Sequence, residues 1–246
     1  VPTLEEAGRW TALLELMGWG SASLFPTSEG SPYEPFDPTS EIIWGQLQVL
    51  SDLIGTDDPA GKAIVATERC LQPHLPPRQA LEATCRTLKK GDEFDLDDLA
   101  DTLARLGYER VSTIDQEGTW SRRGDIVDIY PVSSELPVRL EFFGEELDKL
   151  REFDPATQRT IGKLESLILR PVAEFMMNEA TIAQFRTNYL SLFGAKASRD
   201  ALYESVSAGR NHPGIEHWLP LFHTNLACLN DYCSGWPVVL DHEGDA

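Results

Sequence analysis

Apolar residues recur at helical spacing in two stretches near the amino end of the chain, residues 4–17 and 40–53. Each stretch is followed by a short apolar run that is typical of a buried strand, at residues 21–25 and 63–66. Strands that alternate with helices of this length predict parallel β/α units with crossover connections. We therefore expect residues 1–83 to begin an α/β domain.

The pattern changes after about residue 84. Asp95 precedes one amphipathic helix, which has acidic residues in its first turn and ends at Gly107. Short segments bounded by turn residues follow, and the connections between them leave no room for helices. They are residues 109–113, 119–130, 137–143, 146–153 and 163–169. Because short connections of this kind allow hairpins, we expect residues 84–171 to form an antiparallel, β-rich α+β module.

Helical patterns return toward the carboxyl end, at residues 178–193 and 200–208, and residues 238–240 have the composition of a last strand. We expect residues 172–246 to return to the first domain. The predicted fold class is therefore α/β, with a partial parallel α/β domain interrupted by an inserted antiparallel module. The chain starts at Val1 rather than Met and enters a helix almost at once, so we expect it to be a piece of a longer protein.

One strand of the middle segment carries side chains that a core does not explain. In residues 137–143, a period of two separates an apolar face, which predicts core, from a second face. The second face carries two charges and a large aromatic ring, from Arg139, Glu141 and Phe143. Arginine beside exposed aromatic residues is the composition of interface hot spots. The alternative is a solvated face with an Arg–Glu cross-strand pair and a phenylalanine covered by a loop.

The 246-residue chain is strongly acidic, with 40 Asp and Glu against 21 Lys and Arg and a formal net charge of −19. A DNA-binding protein neutralises phosphates with Lys and Arg, so this charge argues against an autonomous DNA-binding domain. It also argues against binding to an anionic membrane, and no apolar run is long enough to span a bilayer. Four cysteines in so long a chain do not make a disulfide framework. We expect reduced thiols and a cytoplasmic location.

Two motifs resemble cofactor sites, one with the wrong spacing and one with a spacing that only just qualifies. Residues 55–63 mimic a phosphate loop, but they have five residues between the glycines instead of four, and Ala63 where Mg²⁺ needs Ser or Thr. Near the carboxyl end, possible zinc ligands barely reach the tight spacing of a zinc site. They are His212, His217, His223, Cys228, Cys233 and His242. We expect no cofactor and no metal in this segment, and a zinc-binding module is the weaker alternative.

Longer motifs of the middle segment resemble a module that UvrB and the bacterial transcription-repair coupling factor share. The stretches are GTWSRRGDIVDIYP at 118–131, SELPVRLEFFG at 134–144 and FDPATQRT at 153–160. The flanking segments distinguish the two families, since they are similar to the amino-terminal region of the coupling factor. These segments are the proline-rich loop at 25–38, LKKG at 88–91 and GIEHWLPLF at 214–222. The resemblance covers nearly the whole chain.

The resemblance implies a UvrB-like α/β domain whose inserted module binds the UvrA excinuclease subunit in nucleotide excision repair. The family's partner-contacting positions fall on Arg123, Arg139 and Phe143. It also implies that the full-length protein displaces stalled RNA polymerase with an ATP-driven DNA translocase, whose motor motifs are absent from this segment. ATP, DNA and RNA polymerase would then engage other parts of the parent protein, and this segment would be non-catalytic. The alternative is a UvrB-like ATP-dependent subunit that binds damaged DNA, which requires a phosphate loop before Val1.

Overall fold

The computed structural model describes residues 1–27, 40–54, 60–174, 177–210, 212 and 214–241. The chain divides into two compact units. The continuous unit is residues 83–178, and the discontinuous unit combines residues 1–82 with residues 179–246. The domain limits expected from the sequence, at 83/84 and 171/172, stay a prediction, because compactness alone does not define a functional domain.

The first part of the discontinuous unit has the expected alternation of helices and strands. Its elements are α1 (Leu4–Leu16), β1 (Ser21–Leu24), α2 (Ser40–Ile54), β2 (Lys62–Val65) and α3 (Arg78–Glu82). The Thr3 hydroxyl accepts a 3.2 Å hydrogen bond from the Glu6 backbone N–H and caps α1. Strands β1 and β2 pair in parallel, with Ser21 opposite Lys62. The expected parallel pairing is confirmed.

The continuous unit consists mostly of strands. After β3 (Arg86–Lys89), helix α4 (Leu96–Arg105) begins at Asp95, whose carboxylate accepts hydrogen bonds from the first backbone N–H groups of the helix. The strands that follow are β4 (Glu109–Arg110), β5 (Thr119–Arg123), β6 (Ile126–Tyr130), β7 (Val138–Phe143), β8 (Glu146–Phe153), β9 (Thr160–Leu164) and β10 (Ser166–Leu169). Strands β4 to β9 form a six-stranded sheet in chain order, and β10 pairs with β3 in a separate sheet. Apart from the parallel β4–β5 pair, the pairing is antiparallel, as expected.

Several of the strand segments differ in length from the expectation. The segment 119–130 is a hairpin of β5 and β6 that turns at Gly124, where φ is +63°. Glycine reaches this left-handed conformation without a steric cost. The segment 109–113 keeps only two residues as a strand, and the segment 163–169 is divided between β9 and β10.

The core of the continuous unit lies between α4 and one face of the six-stranded sheet. Leu99 and Leu103 of α4 belong to the same buried cluster as Val127, Leu140 and Leu150 of the sheet. Burial of each such side chain contributes about 1.5–3 kcal/mol. We call the side of the sheet that carries Leu140 the core face and the opposite side the outer face.

The second part of the discontinuous unit is helical, as expected. Its helices are α5 (Glu179–Phe193), α6 (Ala201–Ser207), α7 (Leu219–Phe222) and α8 (Leu229–Tyr232). Aromatic rings hold α5 to its neighbours: the ring of Phe185 stacks on Phe222 with centroids 4.9 Å apart. The Tyr189 hydroxyl also donates a 3.1 Å hydrogen bond to the Asp200 carboxylate, which joins α5 to the start of α6.

The strand expected at residues 238–240 is wrong. These residues have no strand conformation, and the side chains of Val238, Val239 and Leu240 are exposed. No described strand pairs with them. Apolar composition favours a strand only where a neighbouring strand completes the hydrogen-bond ladder, and the described residues provide none here.

Some expectations fall outside the described residues. Residues 55–59 of the phosphate-loop mimic, residues 28–38 of the proline-rich loop, and His242 are among these. Among the described residues, no helix is long and apolar enough to cross a membrane.

Candidate protein-binding face

Strand β7 alternates between the two faces of the sheet. Every second residue from Val138 to Phe142 is buried in the core cluster, as the period of two predicts. On the outer face, Arg139 and Glu141 are half-buried and Phe143 is exposed. The face that the sequence left unexplained is therefore the outer face of this sheet.

Phe143 ends β7, and its side chain is 84% exposed. Directly after it the chain turns at Gly144, whose φ of +65° suits a tight hairpin into β8. The Phe142 backbone N–H donates a 2.9 Å hydrogen bond to the Asp125 carbonyl. This bond holds the end of β7 against the β5–β6 hairpin, so the exposed ring sits on an ordered backbone. The alternative of a phenylalanine covered by a loop is wrong.

Two further side chains share the outer face near Phe143. Ile126, which is 38% exposed, lies opposite Glu141 in the sheet and is therefore a diagonal neighbour of Phe143. Arg123 lies opposite Ile126 on the next strand, about 10 Å from β7. The sheet thus brings a cation and two apolar side chains together at one end of the outer face.

Adjacent arginines of β5 point to opposite faces. Arg122 donates a 2.6 Å hydrogen bond to the Asp97 carboxylate in the first turn of α4, on the core face. Arg123 is exposed on the outer face, and its Nη2 donates a 2.8 Å hydrogen bond to the Ser112 carbonyl. A guanidinium has five N–H donors, so this one bond orients Arg123 and leaves donors for a partner.

The sequence predicted an outward, available guanidinium at Arg139, but in the structure this guanidinium is paired with a carboxylate. Its Nε and Nη2 donate hydrogen bonds of 2.7 and 2.9 Å to the two carboxylate oxygens of Asp128. Its guanidinium carbon lies 4.7 Å from the centroid of the Phe153 ring, and the side chain is only 19% exposed. The hydrogen bonds to Asp128 raise the pKa of Arg139, so it stays charged.

The neighbouring strand β6 explains why Arg139 is paired. Asp128 of β6 is buried and lies directly opposite Arg139, and a buried carboxylate needs a hydrogen-bonded cation. Among the described residues, Nη1 of Arg139 is the guanidinium nitrogen without a hydrogen bond. The Arg–Glu cross-strand pair of the alternative interpretation is present, but its cation is Arg151 of β8: Glu141 contacts Arg151 and Lys149.

Comparison with known proteins shows which family this chain is similar to. The UvrB interaction domain family matches residues 87–175, a range that contains Arg123, Arg139 and Phe143. The transcription-repair-coupling factor of Haemophilus influenzae is 32% identical over 245 residues, which cover 99% of this chain. This chain belongs to the transcription-repair-coupling factor family.

Other coupling factors support the same assignment. The Escherichia coli K12 protein is 36% identical over 194 residues, or 79% of the chain, and the Bacillus subtilis protein is 29% identical over 234 residues, or 89% of the chain. The matched regions make up 21%, 17% and 20% of the Haemophilus, Escherichia and Bacillus proteins. The chain therefore spans about a fifth of the length of these coupling factors. Because the relatives match the flanks as well as residues 87–175, the comparison favours a coupling factor over UvrB itself.

Sequence reasoning missed two residues of this coupling-factor face, Asp128 and Ile126. Asp128 stands between two apolar residues of a strand, Val127 and Ile129, and an acid in such a position signals a buried ion pair. The place of Ile126 on the outer face could not be predicted, because an isoleucine at the start of a strand is as common in a core as at a surface.

The described part of the chain does not support the alternative of a zinc-binding module. Among the described residues, no group of three or more His, Cys, Asp or Glu side chains is placed to hold a metal. Burial raises the pKa of the Cys233 thiol to about 11, so it stays protonated at neutral pH. A metal binds the thiolate, so it would have to displace this proton.

Proposed function

We propose that this region binds the UvrA excinuclease subunit through the end of the outer face that carries Phe143. The exposure of the Phe143 ring carries the proposal. Trp120, Phe142 and Phe153 are buried, so the other Trp and Phe rings of this sheet are packed away from water. Aromatic residues and arginine are enriched at protein interfaces relative to the rest of the surface, so an exposed phenyl ring beside Arg123 fits such an interface.

The surrounding groups supply the rest of a hot spot. Phe143 and Ile126 offer apolar area, and Arg123 offers charge-assisted hydrogen bonds to carboxylates or carbonyls of the partner. Arg139 adds the N–H groups of Nη1 while Asp128 holds the rest of its guanidinium. Aromatic and arginine residues at the centre of an interface each cost about 2 kcal/mol or more when truncated.

In the parent protein this binding would bring UvrA to RNA polymerase stalled at DNA damage, in transcription-coupled nucleotide excision repair. ATP hydrolysis, DNA contacts and polymerase contacts belong to other parts of the parent, so this region acts as a non-catalytic recruiter without a cofactor. The fold proposed for it is a UvrB-like α/β domain interrupted by the interaction module. The proposed location is the cytoplasm, where its four free cysteines stay reduced.

Calorimetric titration of the chain with UvrA tests the proposal. Phe143→Ala is expected to weaken binding by about 2 kcal/mol, or roughly thirtyfold. Arg123→Ala is expected to cost about 1–2 kcal/mol by the loss of charge-assisted hydrogen bonds. Arg139→Ala is a poorer test, because it leaves the buried Asp128 without its cation.

A matched control is Ile168→Ala, which truncates an exposed apolar side chain of β10, outside the six-stranded sheet. It should bind UvrA as tightly as the unaltered chain. Circular dichroism of each variant checks that the fold is intact. Unchanged affinity of a folded Phe143→Ala variant would contradict the proposal.

A further inference from the structure

The outer face carries a row of like charges across three adjacent strands. Arg139 of β7 lies opposite Arg151 of β8, and Arg151 lies opposite Lys163 of β9. We call these three residues the cationic row. Like charges directly opposite one another destabilise a sheet. The row is unexpected in a chain whose net charge is −19.

Carboxylates on the same face neutralise only part of this charge. The carboxylate of Asp128 is already paired with Arg139. Glu141 is shared by two cations, with Oε1 3.4 Å from Nη1 of Arg151 and Oε2 3.5 Å from Nζ of Lys149. Both distances exceed those of a strong charge-assisted hydrogen bond, so Glu141 holds neither cation tightly. Lys149 has a closer partner in Asp148, whose Oδ2 lies 3.1 Å from Nζ.

Lys163 has no counter-charge on the described part of the chain. It is exposed at the edge strand and makes no ion pair there. Glu152 lies directly opposite Gly162, the residue before Lys163, and a Cβ built on Gly162 would lie 2.7 Å from the Oε2 of Glu152. Successive strand residues point to opposite faces, so that carboxylate lies away from Lys163.

We propose that Arg151 and Lys163, with Lys149, extend the Phe143 site along the sheet and bind a carboxylate-rich segment of the same protein partner. The proposal rests on the proposed function for the identity of that partner, UvrA. Charge complementarity carries it: the described acids of the face leave Lys163 without an ion pair and hold Arg151 only loosely, and these cations share the face with an exposed apolar anchor. A nucleic-acid occupant fits less well, because Glu141 and Asp148 lie among the cations and would repel phosphates.

Association kinetics with UvrA, measured by stopped flow, test the extension. Lys163→Glu is expected to slow association roughly threefold to tenfold at an ionic strength of about 0.05 M, because charges at the edge of an interface mainly steer encounter. The difference should shrink at about 0.5 M, where charges are screened over a few ångströms. The control is Lys90→Glu, which makes the same charge change at an exposed residue just after β3, outside the six-stranded sheet. It should alter the rate less than twofold.

The outcomes separate this inference from the proposed function. Equal rates for Lys163→Glu and Lys90→Glu, with binding lost in Phe143→Ala, overturn the extension alone. Unchanged binding of Phe143→Ala overturns the proposed function. A fluorescent DNA oligonucleotide that binds the unaltered chain and not Lys163→Glu also overturns the extension, since the occupant would then be nucleic acid.

Discussion

The two faces of the six-stranded sheet use the same strands for different purposes. On the core face, Val127 and Leu140 pack in one apolar cluster with helix α4. On the outer face the described residues form only part of a layer: Asp128, Arg139 and Phe153 are packed together at one position, while Phe143 and Ile126 remain open to solvent.

The difference shows how β7 can serve stability and binding at once. Its alternate residues contribute to two environments, so a partner can use Phe143 without disturbing Leu140. The ion pair of Arg139 and Asp128 can contribute to both stability and binding, because it orders the outer face and still leaves Nη1 of Arg139 available. Substitutions along these strands can therefore separate folding from binding.

The largest effect is expected on the core face. Leu140→Ala should lower the free energy of unfolding by about 3 kcal/mol, because Leu140 is completely buried and its loss leaves a cavity. Urea unfolding followed by circular dichroism measures this loss. Leu16→Ala, which truncates an exposed leucine at the end of α1, should change stability by less than about 0.5 kcal/mol. Equal losses in the two variants would mean that the core face is not the main source of stability.

An intermediate effect is expected at the ion pair. Asp128→Ala should cost about 2 kcal/mol of stability, because it removes two hydrogen bonds to a charged group and leaves Arg139 poorly paired. A double-mutant cycle with Arg139→Met isolates the interaction. The cost of the double variant should be smaller than the sum of the two single costs, and strict additivity would show that the pair contributes no coupling.

The smallest effect on stability is expected where binding should be most affected. Phe143→Ala should change the free energy of unfolding by less than about 0.5 kcal/mol, since the ring is in solvent. The same urea titration measures it. A loss above 1 kcal/mol would mean that the ring packs against the fold and would weaken its assignment as a binding anchor.

Local patterns predicted much of the fold. The Asp95 cap and the leucine spacing predicted α4, and the period of two in residues 137–143 identified both faces of β7. The exposure of Phe143 agrees with the face that this period left outside the core. These features depend on residues close together in the chain, which is why sequence alone reveals them.

The sequence predicted the direction of strand pairing but not which side chains meet across neighbouring strands. Whether Arg139 is available depends on Asp128, eleven positions earlier, and on the register that places the two side chains opposite each other. Residues 238–240 have a strand-like composition but no described partner strand. Strand register and pairing are set by packing and turn geometry together, so composition within one strand does not determine them.

For this protein, the order of residues determined its helices and strands, the two-sided character of β7 and its likeness to the coupling-factor family. The tertiary structure decided which side chains of the outer face are available, because a guanidinium that meets a buried carboxylate is held there. The phenyl ring of Phe143, at a hairpin end, meets no such neighbour in the described part of the chain and stays in solvent.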